Sequence, residues 1–379
     1  MRIAHYYEGR CNPSGAGGVD LTVCGLCKEQ GAAGHEVGLF CASPKEEFPV
    51  PGATVRNFAP GSGRFAIPSK LTEALGGFSP QVMHFHSTYI PRAQALARWA
   101  RKQGIPYVVT PNGNCSTRLL SDPWWIKRPY RRLFELPYLN RAAFVHSVGD
   151  RAEIERYGVR VPIVDTLNGF DSDTIPDGLD PGIIERKLPA WAGRKILLYL
   201  GRLDLEQKGL DRLLEGVAQA PDCEPPIGLV LVGTDWKGSK ARLESLVDTL
   251  NLGGRVHFWG PAYDKEKFDL LRAADCFVHT SRWEGMSFAV AEALATNGLC
   301  LLTPPADPGG LVAKLEAGII SDETPAGIAE AIGRFIAAGP EELDRIRARA
   351  RGIVDEHMAW KEIAATVTDA YRTVAGVSG

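Results

Sequence analysis

Two stretches of the chain set cations and carboxylates at spacings that could do chemistry. In Leu200-Gly201-Arg202-Leu203-Asp204-Leu205-Glu206-Gln207-Lys208-Gly209, Arg202 and Lys208 share one loop. An arginine forks onto phosphate oxygens and a lysine adds a point charge, so the pair suits a diphosphate; the plain alternative is two solvated loop cations. In Ser281-Arg282-Trp283-Glu284-Gly285-Met286-Ser287-Phe288-Ala289-Val290-Ala291-Glu292-Ala293-Leu294, the two glutamates stand eight apart. A helix opening near Gly285 would hold their carboxylates up to roughly 12 Å apart at about 1.5 Å per residue. That exceeds the roughly 5 Å of a retaining glycosidase pair, but it reaches hydroxyls at both ends of one sugar nucleotide. Amides of Gly285, Met286 and Ser287 at the helix start can meet phosphate or sugar oxygens. A bland amphipathic helix would explain Glu284 as a cap. It would not explain Glu292, because a carboxylate in so apolar a run needs a partner.

Other motifs say less alone. Ser14-Gly15-Ala16-Gly17-Gly18 lets a backbone approach a ligand closely, yet it lacks the G-x-G-x-x-G spacing of a dinucleotide site. Cys24 and Cys27 have C-x-x-C spacing with no second pair at a zinc-like interval, and they read as buried thiols on one helix face. His86 ends a strand, where it could line a ligand cleft or serve the core. The stretch 122–134 interleaves Lys127, Arg128, Arg131 and Arg132 with Trp124, Trp125, Tyr130 and Phe134. It suits a membrane surface, or a solvated helix whose aromatics pack inward.

These groups need elements to hold them. Apolar β-rich runs at 3–6, 35–41, 82–86, 107–110, 143–147 and 163–167 alternate with helical patterns at 19–30 and 92–102. The alternation then restarts, with strands expected at 196–200, 229–232, 256–258, 276–280 and 299–302 and helices at 210–219, 240–250, 265–273 and 287–296. Strands alternating with helices predict parallel sheets covered on both faces. The expectation is an α/β chain of two Rossmann-like domains facing across a cleft, 1–172 and 173–356, followed by a helical end at 357–379. The turn-rich join around 168–182 sets the boundary, and open α/β sheets bind ligands at the carboxyl ends of their strands.

The totals narrow the classes. The 379 residues are 45% apolar and 23% charged, with a net charge of −2, which gives no global field for nucleic acid. The opening Met1-Arg2-Ile3-Ala4-His5-Tyr6-Tyr7-Glu8 lacks a long apolar region, and no run reaches a membrane span. The expectation is a cytoplasmic protein with reduced cysteines, with peripheral contact at the inner membrane face through 122–134.

On these residues the chain resembles glycosyltransferase family 4, the retaining GT-B glycosyltransferases, over essentially its whole length. The resemblance rests on Gly17-Gly18, Gly34-His35-Glu36-Val37, Asn168-Gly169-x-Asp171, Arg202…Lys208-Gly209, Glu284…Glu292 and Ala359-Trp360. It implies that Arg202 and Lys208 hold the donor diphosphate, Glu284 contacts sugar hydroxyls and Glu292 the ribose. It also implies that the backbone at Gly260-Pro261 meets the base, that Gly17 and Gly18 approach the diphosphate from the other domain, that 1–172 is the acceptor side and 173–356 binds the nucleotide sugar, and that the helix at 357–379 packs back on the first domain. The implied partners are a UDP- or GDP-sugar and a saccharide or lipid-linked acceptor, with no nucleic acid. No cofactor and no metal are implied, and no Asp-x-Asp element stands near a donor loop. The resemblance places the activity in surface polysaccharide or glycolipid assembly, with the leaving phosphate as proton acceptor. One departure stands out: the family's Thr-Pro-His-Gly turn reads Thr110-Pro111-Asn112-Gly113 here. Asn112 can orient a sugar but cannot carry a proton charge at neutral pH. The rival readings are a sugar-nucleotide epimerase and a nucleotide-sugar-binding scaffold without turnover; a dehydrogenase is disfavoured by the glycine spacing.

Overall fold

A computed structural model of the chain describes residues 1–9, 17–42, 48–116 and 124–377. Ser14, Gly15 and Ala16 of the glycine loop, and Asp122 and Pro123, lie outside the described residues. The chain divides into two units, 1–169 with 359–379 and 170–358. The divisions fall after Gly169 and Met358, three and two residues from the expected boundaries. The Phe170 amide donates to the Met358 carbonyl at 2.7 Å, so the two ends of the second unit are tied together.

In the first unit β1 (Arg2–Tyr7), β2 (Glu36–Cys41), β3 (Thr54–Asn57), β4 (Val82–His86), β5 (Tyr107–Thr110), β6 (Phe144–Val148) and β7 (Ile163–Thr166) form one sheet in the order 3-2-1-4-5-6-7. Every neighbouring pair is parallel. The second unit pairs β8 (Ile196–Leu200), β9 (Gly228–Val232), β10 (Val256–Gly260), β11 (Cys276–His279), β12 (Cys300–Leu302) and β13 (Ile319–Ile320) in the order 10-9-8-11-12-13, also parallel. These are two Rossmann-like α/β units. β3 and β13 were not expected. β3 is half-exposed and polar, and β13 has two residues, so neither leaves an apolar run to read.

Side chains alternate across the first sheet. Ala4, Tyr6, Met83, Phe85, Val109 and Val145 enter an apolar core with the helices Ser69–Phe78 and Pro91–Lys102. The opposite face carries His5, His84, His86 and His146, all buried, under the helices Gly18–Ala32 and Trp360–Ala375. The C-terminal stretch is two helices rather than one. Pro340–His357 belongs to the second unit and Trp360–Ala375 to the first, with the chain extended at Ala359 between them. Trp360 lies over Gly25 and Gly169: a Cβ built at either would fall 2.4 Å or 2.2 Å from the indole.

His86 is 1% exposed, so it does not line an open surface. Its Nε2 meets His5 Nδ1 at 2.9 Å, and its Nδ1 has no partner. Beside it runs a one-way chain of hydrogen bonds. The Tyr371 hydroxyl donates to His84 Nδ1, His84 Nε2 to Thr110 Oγ1 at 2.6 Å, Thr110 to His146 Nδ1 at 2.9 Å and His146 Nε2 to Thr166 Oγ1 at 2.8 Å. Thr166 ends it on the Leu167 carbonyl at 3.0 Å, which can only accept, so every tautomer follows. Burial holds the imidazoles neutral, with His5 pushed down to about 4 and His146 to about 3. Ring nitrogens of His5, His84 and His86 come within 4.8 Å of one another, a spacing open to a cation, but both nitrogens of His5 and of His84 are already hydrogen-bonded.

Cys24 and Cys27 are buried thiols outside any disulfide, on the helix Gly18–Ala32. Burial, with Cys24 and Cys41 nearby, pushes the Cys27 thiol well up, which is a core cysteine's environment.

Candidate functional site

The donor-type residues gather at the carboxyl edge of the second sheet. β8 ends at Leu200 and β11 at His279, and the loops that follow carry Arg202–Lys208 and Ser281–Ser287. Hydrogen bonds stitch these loops together. Arg282 reaches the carbonyls of Leu205 and Glu206 and pairs with Asp211, and Thr280 donates to Lys208 and Gly209 carbonyls at 3.2 Å. Gly209 takes a left-handed turn (φ 63°) into the helix Leu210–Gln219. A Cβ there would lie 2.2 Å from the Thr280 carbonyl, so only glycine allows the approach.

The stitching brings Lys208 against Glu284, residues 76 apart in sequence. The pair is buried, with side chains 10% and 9% exposed. Lys208 is therefore not an open loop cation, nor is Glu284 a free carboxylate. His279 Nε2 reaches Glu284 Oε1 at 3.2 Å and Ser281 Oγ donates to the same oxygen at 2.7 Å. Burial opposes ionisation of Glu284, but Lys208 and His279 overcome it and hold the carboxyl well below its usual range. Three donors converge on Oε1, and among the described residues no donor reaches Oε2.

Glu292 has the partner its apolar surroundings demand: Lys267 Nζ donates to its Oε1 at 2.6 Å. Burial raises the Glu292 carboxyl and Lys267 only partly offsets it. The helix bearing Glu292 is Phe288–Thr296, not one opening at Gly285. Ser287 is extended (φ −80°, ψ 118°), so Gly285, Met286 and Ser287 precede the helix, and Glu284 reaches the site from a loop rather than along a helical rise. Arg202 is exposed, stacks its guanidinium 4.3 Å over the Trp236 ring and donates to Gln207 at 3.1 Å. Gly260 ends β10 at φ 95° with open space where a Cβ would be.

The first unit holds the other candidates. Gly17 caps the helix Gly18–Ala32 without a side-chain cap, and both glycines are exposed, so amides at that N-terminus face outward. Asn112 sits at φ 54° and folds its side chain back onto the Thr110 carbonyl at 3.2 Å. Ser87 (φ 71°) and Tyr89 (φ 59°), after β4, are strained likewise.

Two buried carboxyls that the sequence reading missed hold these turns. Asp150 accepts from the Gly113 amide at 3.1 Å, and from Ser147 and the Val148 amide at 3.2 Å each. Burial pushes it up to about 6. Glu135 accepts from the Tyr89 amide at 3.1 Å and from Gln94 at 2.6 Å, with no paired cation among the described residues, and burial raises it to about 7. Ser147-x-x-Asp150 is a local signal that could have flagged the first; nothing local marks Glu135. Because its folded pKa lies above the unfolded one, the stability this carboxyl contributes is full below about pH 4 and falls as pH rises through 7. Between pH 5 and 8 the wild type should lose about 2–4 kcal/mol relative to Glu135→Gln. Urea titrations of both proteins across that range check it, and parallel stability curves would refute it.

Two family models match the chain: "Glycosyl transferases group 1" over residues 183–352 and "Glycosyl transferase 4-like domain" over 17–166. A phosphatidyl-myo-inositol mannosyltransferase of Mycobacterium leprae is 25% identical, covering 95% of this chain and 94% of its own. Among solved structures, sucrose-phosphate synthase from Thermosynechococcus elongatus superposes with a TM-score of 0.79 at 21% identity, covering all of both chains. HepE of Anabaena, solved with UDP and glucose, gives 0.75 at 20% identity over 98% of this chain and all of its own.

Proposed function

The chain belongs to the glycosyl transferases group 1 family and is a glycosyltransferase of GT-B fold, and on that premise we propose that it moves a sugar from a UDP- or GDP-sugar to a hydroxyl of a saccharide or lipid-linked acceptor, with retention at the anomeric carbon and no bound metal. The observation that carries this reading is the Glu284 carboxylate. Its Oε1 is held by Lys208, His279 and Ser281, and its Oε2 is left for a sugar hydroxyl. Glu292 is tied in the same way through one oxygen, leaving the other for the ribose. Arg202 and Lys208 supply the positive charge that stabilises the departing diphosphate, the part a metal would otherwise play. Asn112 carries no proton charge, so no proton transfer is assigned to it, and the leaving phosphate takes the acceptor's proton.

Incubation with a panel of sugar nucleotides, each with and without lipid-linked and soluble acceptors, tests the proposal. Acceptor-dependent release of nucleoside diphosphate and a product with the donor's anomeric configuration are expected. Donor interconversion without acceptor would make it an epimerase, and binding without turnover a scaffold.

The likeness to a phosphatidyl-myo-inositol mannosyltransferase supports the lipid-linked class, with the acceptor met at a membrane surface. Among the described residues no helix is long and apolar enough to cross a membrane. Trp125 and Ile126 are each 60% exposed and Leu133 65%, with Arg132 exposed beside them. Tyr130 and Phe134 pack instead on one another and on Tyr89 and Phe65. Arg131 is structural, bonding the Tyr157 carbonyl and stacking 4.7 Å over its ring. Binding to liposomes should rise with anionic lipid and fall in Arg128→Glu/Arg132→Glu and in Trp125→Ser. No co-sedimentation at low salt, where this attraction is strongest, would assign a soluble acceptor.

A further inference from the structure

The first sheet reverses its winding between β1 and β4. These strands are neighbours in the order 3-2-1-4-5-6-7, and the chain runs outward from β1 to one edge and from β4 to the other. The helix after β1, Gly18–Ala32, covers the histidine face, while the helix after β4, Pro91–Lys102, covers the apolar face. Connections that leave adjacent strands on opposite faces open a crevice at the carboxyl ends, where open α/β sheets take their ligands.

Glu8 stands at that point, directly after β1. Its Oε1 accepts from the Tyr6 hydroxyl at 2.8 Å and from Arg92 Nη1 at 2.7 Å. Both donors are buried, Tyr6 at 1% and Arg92 at 7% exposed, whereas 25% of the Glu8 side chain is exposed. Among the described residues no donor reaches Oε2. Arg92 is committed elsewhere, since its Nε donates to the Ala66 carbonyl at 2.9 Å and its Nη2 to the Gly63 carbonyl at 3.5 Å. An arginine able to fork onto both oxygens of a carboxylate thus holds this one through a single oxygen. The register pairs Tyr6 with Phe85, so the chain leaves the two strands level, with Glu8 on one side and Ser87 on the other. Ser87 (φ 71°) and Tyr89 (φ 59°) are both in the left-handed region. Such strain collects at ligand sites. Glu284, beyond the end of β11 in the second unit, is likewise held through Oε1 alone.

A carboxylate oxygen can only accept, so its ligand must donate. Arg92 already neutralises the charge, which leaves no call for a cation. A neutral hydroxyl meets both conditions. We propose that Glu8 is a binding residue for the acceptor: its Oε2 accepts from a hydroxyl of a neutral sugar ring seated in the crevice between the ends of β1 and β4. The hydroxyl is one other than that which attacks the donor, so Glu8 fixes the ring and takes no proton. This rests on the reading of the chain as a transferase to a hydroxyl acceptor.

Initial rates of wild type and Glu8→Gln test it, with methyl glucoside, methyl mannoside and methyl galactoside as acceptors. Glutamine keeps a carbonyl oxygen for Tyr6 and Arg92, and puts an amide nitrogen, which cannot accept, where Oε2 stood. The acceptor KM should rise about tenfold or more, while kcat and the donor KM stay within about twofold. A purely structural role for the ion pair would lower the urea midpoint and leave the acceptor KM alone. If Glu8→Gln does not fold, Glu8→Asp, which draws the carboxylate back along its stem, should raise the acceptor KM in the same way. An unchanged acceptor KM in a folded variant overturns the proposal. So does a wild type that uses lipid-linked acceptors and none of the methyl glycosides, an outcome that leaves the transferase reading intact. Transfer to no acceptor at all sinks that reading, and the proposal with it.

Discussion

Lys208→Met should lower donor turnover by about a hundredfold or more, the loss of a charge that stabilises the leaving group, and should also cost the second unit about 3–5 kcal/mol. The stability loss follows from burial. Glu284 and Lys208 are both nine-tenths buried, and removing the cation leaves the carboxylate with only His279 and Ser281. The pH dependence has a definite sign. In the wild type the Glu284 carboxyl is depressed, so its contribution is present above about pH 4 and lost as pH falls. Without Lys208, burial dominates and the carboxyl rises, so the variant is least stable at high pH and recovers as acid protonates Glu284. Lys208→Met/Glu284→Gln should regain most of the stability, because no uncompensated charge remains, but none of the turnover. Urea titrations and initial rates on the two variants decide this. A stable, active Lys208→Met protein would show that the pair neither supports the loops nor serves the donor.

Trp360→Ala should cost the first unit about 3–5 kcal/mol, the range for emptying a buried tryptophan site. The indole is 7% exposed and rests where Gly25 and Gly169 leave room, holding the terminal helix Trp360–Ala375 to Gly18–Ala32. Filling the seat should act in the same direction: a Cβ at Gly25 or Gly169 falls inside contact distance, so Gly25→Ala and Gly169→Ala should each cost about 1–3 kcal/mol. The helix is also anchored by Tyr371, whose hydroxyl opens the hydrogen-bonded run through His84, so Tyr371→Phe should weaken the same unit. Chemical denaturation followed by a probe in the first unit should show its transition shifted in all four variants. An unshifted transition in Trp360→Ala would mean that the helix is dispensable to the fold.

Much of this architecture could be read from residue patterns. The strands 82–86, 107–110 and 196–200 and the helix Leu210–Gln219 have the expected bounds, because each is a short β-rich run or a clear helical stripe between turn residues. The apolar stripe Trp360, Ile363, Val367 and Tyr371 marked a helix, and it is buried; the return of that helix to the first unit was implied only by the family resemblance. The expectation that Glu292 must have a partner came from the apolar run around it; the identity of that partner did not, since Lys267 lies on another helix.

What the sequence determined by itself is therefore periodicity and local chemistry: two parallel α/β units, loops bearing Arg202, Lys208 and Glu284 after strand ends with Glu292 on the helix that follows, and a family. What only the tertiary structure decided is pairing. Lys208 meets Glu284 across 76 residues, and the hydroxyl of Tyr371 meets His84 across 287. Periodicity reports which face of a strand or helix is buried. Which side chains meet on that face depends on strand order, register and the packing of helices far apart in the chain, and no local pattern encodes these. The same holds for His86, whose place at a strand's carboxyl end left a ligand cleft and the core equally open; the helices Gly18–Ala32 and Trp360–Ala375 cover that face of the sheet and decide for the core.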